Sequence, residues 1–135
     1  MNIVGIGTDI VECLRIAQMI ERHGELFLQR VFTAHEVAYC QDRKAATQHF
    51  AGRWAAKEAV LKAMGTGWTR GISWQDVEVR NEFGGKPQIV LGGGAREICN
   101  SLGIGQVLIS ISHCRHYATA YAVALGDGAN IARNG

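Results

Sequence analysis

Residues 45–64 constrain the fold more than any other stretch. They are rich in alanine, carry Lys57, Glu58 and Lys62, contain no proline, and stop at Gly65. That is the composition and the ending of a long helix. At about 100° per residue, Phe50, Trp54 and Leu61 form an apolar ridge. Glu58 and Lys62 lie on one side of it and Arg53 and Lys57 on the other, while Ala55, Ala56, Ala59 and Ala63 fill the back. A side made of alanine calls for another backbone close by. A helix packed on both its alanine side and its ridge holds its charged residues in crevices, and charged groups in crevices are candidates for function. The competing reading makes Glu58 and Lys62 an i,i+4 ion pair, worth a few tenths of a kcal/mol.

Around this helix the pattern is α+β. Residues 2–9 read as a strand, with Gly5 and Gly7 allowing close backbone approach. Residues 11–23 read as a helix with Leu14, Met19 and Ile20 as its apolar face and Gly24 as its stop. Thr33 and Glu36 form a capping box for a helix running to about Cys40. Residues 74–80 alternate as a strand, Gly84-Gly85-Lys86-Pro87 turns, and residues 88–91 pair back. Gly92-Gly93-Gly94 leads into a short helix, 95–102. Residues 107–112 and 117–125 form a last hairpin.

With 135 residues, one domain is expected. Hydrophobic residues at 47% and charged residues at 19% describe a globular chain. The longest apolar run, residues 118–125, falls far short of the roughly 20 residues that span a bilayer. Asp9 interrupts any signal-peptide core, so no membrane association and a cytoplasmic location are expected. A net charge of +2 gives no basis for nucleic-acid binding. Cys13, Cys40, Cys99 and Cys114 are scattered without a C-x-x-C pair, which argues against a zinc ribbon.

Asp9 follows a Gly-x-Gly. It reads as an N-cap for the next helix, or, together with Glu58, as one of two hard oxygen ligands for Mg²⁺. His113 and His116, spaced H-x-x-H, lack an evident third ligand for zinc. Arg115 and His113 are candidates for holding a phosphate. The glycine run 92–94 lacks the lysine and serine of a phosphate loop and reads as a turn.

Five segments in order resemble one family. Gly5-Ile6-Gly7-Thr8-Asp9-Ile10-Val11-Glu12 resembles the opening motif of bacterial holo-acyl-carrier-protein synthases. Phe32-Thr33-Ala34-His35-Glu36 is similar to their F-T-x-x-E segment. Gly52-Arg53-Trp54-Ala55-Ala56-Lys57-Glu58-Ala59-Val60-Leu61-Lys62-Ala63 resembles their most specific signature, followed by Gly65-Thr66-Gly67. Gly85-Lys86-Pro87 and Ser110-Ile111-Ser112-His113 complete the set. The resemblance spans nearly the whole chain. It implies a 4'-phosphopantetheinyl transferase fold, with a small antiparallel-rich sheet and a long central helix, assembled as a homotrimer with active sites at subunit clefts. The implied reaction moves 4'-phosphopantetheine from coenzyme A to a serine of apo-acyl carrier protein, in fatty acid biosynthesis, and releases adenosine 3',5'-bisphosphate.

Carried onto this chain, the resemblance implies that Asp9 and Glu58 hold Mg²⁺ on the coenzyme A pyrophosphate and that Lys62 sits beside the transferring phosphate. Arg53, Gly65 and His113 would serve the coenzyme A side. Glu58 and a metal-bound water are rival candidates for the base. Arg53 lies on a different stripe from Glu58, which suits a cleft that takes one stripe from each of two neighbouring copies. An acidic carrier protein is expected to dock near Arg15 and Arg22, which share one side of the first helix, with Leu14 and Met19 as its apolar centre. The chain departs from the family at Cys114-Arg115-His116, where many relatives carry a small hydroxyl residue and then a lysine or acid. Residues 1–126 are expected to be the transferase domain and 127–135 a disordered tail. Two other readings stand beside this one: a binding module without turnover, and a Mg²⁺-dependent phosphohydrolase acting on a nucleotide.

Overall fold

The computed structural model describes residues 2–69 and 71–128. Strand β1 (Ile3–Glu12) leads into helix α1 (Cys13–His23), followed by α2 (Glu25–Val31), α3 (Ala34–Gln41) and the long α4 (Ala46–Met64). Strands β2 (Val77–Asn81) and β3 (Pro87–Leu91), helix α5 (Gly93–Leu102), and strands β4 (Ile104–His113) and β5 (Tyr117–Gly126) complete the order. β5 lies between β1 and β4 in an antiparallel sheet, and β2–β3 form a separate hairpin.

The central sheet is built to receive α4. Alternation puts Gly5, Gly7, Asp9 and Val11 of β1 on one face, beside Ala118, Ala120, Ala122 and Ala124 of β5. The alanine side of α4 sits directly on that small-residue face. A Cβ added at Gly5 would run into the Ala63 carbonyl oxygen, and one at Gly7 into that of Ala59. The helix ridge meets aromatic rings instead. Phe50 packs on Phe32 at 5.0 Å between centroids, and Trp54 stacks between Phe27 at 6.0 Å and Trp74 at 4.5 Å. The expected close backbone on the alanine side therefore comes from the chain itself.

Several boundaries differ from the sequence reading. β1 continues through Val11 and Glu12, because Glu12 still pairs with Tyr117 of β5. Helix α1 thus starts two residues later than expected, and it buries Cys13 and Ile16 while Leu14 is exposed. α2 was not expected; it begins just after Gly24, whose positive φ of 52° ends α1. Residues Trp74–Asp76 form a 3-10 turn rather than a strand. Ser73 and Asp76 cap that turn reciprocally, the Ser73 amide donating to Asp76 Oδ2 at 3.0 Å. α5 starts at Gly93, where the glycines give room to the Asp76 carboxylate and the Gly71 backbone. The capping box at Thr33 forms as expected, with Glu36 N–H donating to Thr33 Oγ1 at 3.2 Å and Thr33 N–H to Glu36 Oε1 at 2.8 Å.

No described helix is long and apolar enough to cross a membrane. Of the expected tail, Asp127 donates its amide to Gly103 at 2.8 Å; residues 129–135 lie outside the described residues.

Candidate active site

Asp9 lies in the middle of β1, on the face turned to α4, opposite Ala120. The N-cap of α1 is Glu12, three residues on, so the capping reading of Asp9 fails. Thr119 Oγ1 donates to the Asp9 carbonyl at 2.8 Å and fixes the strand there. The Asp9 carboxylate takes an ion pair from Lys62, with Nζ 3.0 Å from Oδ1, and Lys62 also donates to the Thr8 carbonyl at 3.0 Å. Lys62 therefore reaches across to the strand instead of making the i,i+4 pair with Glu58. Gly7 makes this approach possible: a Cβ there would come within 2.9 Å of Lys62 Cβ and 2.6 Å of the Ala63 amide nitrogen.

Glu58 is one turn earlier on α4 and half-buried. Burial raises its pKa above the ordinary carboxylate range, and the Asp9 charge adds to the rise. The Trp68 indole N–H, Lys62 and Arg15 act in the opposite direction. That indole N–H is buried without a hydrogen bond of ordinary geometry, and its influence on Glu58 comes from proximity. A second carboxylate beside Glu58, with donors around the pair, suits a divalent cation. Asp9 and Glu58 are the residues that could hold one. Among the described residues no third histidine, cysteine or acid joins them, so the substrate and water would supply the other ligands.

Arg53 and His113 meet elsewhere, on the opposite flank of α4. Arg53 is only 4% exposed. Its Nη2 donates to Asn81 Oδ1 at 2.6 Å, its guanidinium lies 4.0 Å from the Tyr39 ring centre, and its Nε has no partner. His113 Nδ1 lies 2.9 Å from Gln48 Oε1, and its ring meets His49 edge-on at 4.9 Å. These side chains line one cleft together with Pro87 and Gly85. Burial, then His113 and the two arginines Arg53 and Arg43, lower the His49 pKa. A cleft lined by a guanidinium suits an anion. Gly65 sits at the C-cap of α4 with φ 78°, one turn beyond Lys62 in the chain, and its amide closes the helix on Leu61 and Lys62. The expected residues thus fall into two groups, Asp9–Glu58–Lys62 and Arg53–His113, with α4 between them.

Arg15 and Arg22 are exposed on α1. Beside them runs a cleft of about 400 Å³ whose lining includes Met19, Leu26, Phe27, Arg30, Trp54 and Trp74.

The sequence reading missed Asn81 and Tyr39, which the β2–β3 hairpin and α3 bring to Arg53, and Gln48, which lies on α4 itself and meets His113. It also missed the role of Lys57. Fully buried, Lys57 pairs with Glu36 at 2.9 Å and donates to the Val77 carbonyl at 2.6 Å and the Trp74 carbonyl at 3.2 Å. Glu36 also accepts from the Val79 amide at 2.8 Å. The capping box marked Glu36; nothing local marked its buried partner.

Comparison with known proteins points to one family. The model of the 4'-phosphopantetheinyl transferase superfamily matches residues 5–125. The chain is 52% identical over 120 residues to a holo-[acyl-carrier-protein] synthase of Protochlamydia amoebophila, covering 89% of this chain and 96% of that one. A crystal structure of holo-[acyl-carrier-protein] synthase from Neisseria meningitidis superposes with a TM-score of 0.84 at 32% identity, covering 92% of this chain and 99% of the other. The Helicobacter pylori enzyme in complex with coenzyme A superposes at 0.79 and 31% identity, covering 89% and 99%.

Proposed function

The chain belongs to the 4'-phosphopantetheinyl transferase superfamily, and on that premise we propose how its own residues carry the reaction. It transfers 4'-phosphopantetheine from coenzyme A to a serine of apo-acyl carrier protein, and the other product is adenosine 3',5'-bisphosphate. The serine oxygen attacks the phosphorus bearing the pantetheine, the bond to the nucleotide phosphate breaks with its electron pair leaving on that phosphate, and the serine proton passes to a base, Glu58 or a water.

This chemistry asks for positioning and charge neutralisation more than covalent help. Asp9 and Glu58 provide the oxygens for Mg²⁺, which when bound neutralises the pyrophosphate. Lys62 holds its ammonium beside Asp9 and balances charge as the phosphate transfers. Arg53 and His113 bind the nucleotide end in their own cleft. One observation carries the assignment: Lys62 leaves its helical neighbour Glu58 and crosses to Asp9. That removes the i,i+4 explanation, as the Glu12 cap removes the capping one, and it gathers two carboxylates and an ammonium at one strand–helix contact.

Because α4 separates the two groups, a complete site takes Asp9, Glu58 and Lys62 from one copy and Arg53 and His113 from its neighbour. The sheet supplies a surface for that assembly. Its face away from α4 exposes Ile6 at 72%, Ile10 at 67%, Leu108 at 51% and Tyr121 at 62%. Ile6 and Leu108 both pair with Val123, so they stand in one row with it. An apolar face of this kind marks an interface, and a homotrimer closes it with one cleft per subunit. Carrier protein docks on α1, where Arg15 and Arg22 meet its acidic surface and the neighbouring apolar cleft takes a side chain. The reaction is assigned to the cytoplasm, where coenzyme A and carrier protein are both available.

Incubation with coenzyme A, Mg²⁺ and apo-carrier protein, read by intact mass, tests the site. Asp9→Asn and Glu58→Gln are expected to reduce turnover by at least about a hundredfold, on the scale of losing a charge-stabilising group, while keeping the native circular dichroism. Near-normal turnover at saturating Mg²⁺ removes that residue from the site. Phosphate release without carrier modification would establish a phosphohydrolase instead.

A further inference from the structure

Two of the four free cysteines stand outside the reaction and beside one another. Cys40 and Cys99 are wholly enclosed. Burial pushes the Cys40 thiol up to about 12 and raises that of Cys99 as well, and enclosed protonated thiols are inert. Cys114 is different. It is exposed in the turn between β4 and β5. Backbone hydrogen bonds involving His116 and Tyr117 hold its thiol below the ordinary range, which enriches the nucleophilic thiolate.

Cys13 lies at the start of α1, buried against that turn. Its Sγ donates to the Cys114 carbonyl oxygen at 3.9 Å, and its amide donates to the His116 carbonyl at 2.8 Å. Two contacts therefore tie the start of α1 to the turn, and the Cys13 sulfur rests against the residue that carries the exposed thiol. Burial raises the Cys13 pKa and the neighbouring Cys114 adds to it. Lys44, Arg115 and His116 line the same cleft as Cys13. Cationic groups of this kind favour a thiolate nearby.

We propose that Cys114 is a site of oxidation by peroxides and that Cys13 resolves the product to an intramolecular disulfide. The Cys114 thiolate attacks one peroxide oxygen, the O–O bond breaks, and Cys114 becomes a sulfenic acid as hydroxide leaves and is protonated to water. The Cys13 sulfur then attacks the sulfenic sulfur, the S–O bond breaks, and a second water leaves as the Cys13 proton is taken up. Two thiols are oxidised and one peroxide is reduced by two electrons. The cross-link joins the first turn of α1, which carries Arg15, to the turn beside His113. A disulfide needs Cα atoms about 4.4–6.8 Å apart, and the three-residue turn is the part that adjusts to reach it.

The test uses the reduced full-length chain, freed of reductant and treated with hydrogen peroxide. Titration of the denatured product is expected to find two thiols in place of four, and non-reducing peptide mapping one disulfide, Cys13 to Cys114. Iodoacetamide is expected to alkylate Cys114 of untreated protein about tenfold faster than Cys13. Cys114→Ser is expected to lose no thiol at the same peroxide dose. Cys13→Ser and Cys13→Ala are expected to stop at a Cys114 sulfenic acid, trapped by dimedone. The proposal is overturned if wild-type Cys114 accumulates the dimedone adduct as fully as in Cys13→Ser. It is equally overturned if Cys114 reacts no faster than Cys13, or if the disulfide maps to any other pair.

Discussion

Lys57 and Arg53 are neighbours on α4 and both are buried, yet they serve different ends. Lys57 satisfies its charge completely, through Glu36 and the carbonyls of Val77 and Trp74. Burial lowers its pKa and Glu36 opposes that. Arg53 keeps a buried Nε without a partner, and its side chain lines a cleft. The first arrangement locks α3, α4 and β2 together; the second faces the cleft proposed for the nucleotide. Lys57→Met leaves the Glu36 carboxylate buried without its cation and is expected to cost about 3–5 kcal/mol of stability, seen as a lower urea midpoint. The double variant Lys57→Met, Glu36→Leu is expected to recover part of that loss. A change under about 1 kcal/mol for the single variant would mean that the pair is not structural. At this scale the site was legible only in part. Asp9, Glu58, Lys62 and Arg53 sit in recognisable motifs. Asn81 and Tyr39 do not, because each reaches the Arg53 cleft through pairing or packing that no local spacing encodes; Gln48, on α4 itself, is marked only by His113 arriving from β4.

At the scale of elements, α4 was legible because helix composition, alanine patterning and the Gly65 stop all agree. Where local and long-range preferences diverge, the sequence misled. Val11 and Glu12 suit a helix start, but the β1–β5 ladder holds them to Tyr117. Trp74–Asp76 alternates like a strand, but the Ser73–Asp76 cap folds it into a 3-10 turn. The contact between β1 and α4 sets the whole site, and it depends on Gly7. In Gly7→Ala the new methyl meets the Ala59 carbonyl and crowds the Lys62 side chain. β1 must then lift from the helix. The expected cost is about 1–3 kcal/mol, as for overpacking in a dense core, with turnover falling more than stability alone explains because Asp9 and Lys62 separate. Wild-type stability and turnover in Gly7→Ala would show that the strand and helix have slack there.

For the molecule as a whole, the proposed function depends on surfaces that one copy leaves incomplete. On α1, Arg15→Glu is expected to raise the apparent KM for carrier protein while leaving that for coenzyme A nearly unchanged. The wild-type rate at low carrier concentration is expected to fall as salt rises, and the variant to show a flatter slope, since exposed charges act on association and are screened. Equal slopes with an unchanged KM would place docking elsewhere. The central claim is that the site is shared between neighbours, and mixing two defective variants tests it most directly. Glu58→Gln removes one half of the cleft and Arg53→Gln the other, and each alone is expected to be inactive. Refolded together in equal amounts, they should form mixed rings in which about a quarter of the clefts draw both intact halves from different copies. The account predicts recovery of about a quarter of wild-type turnover; mixed oligomers that remain as inactive as either parent would contradict it.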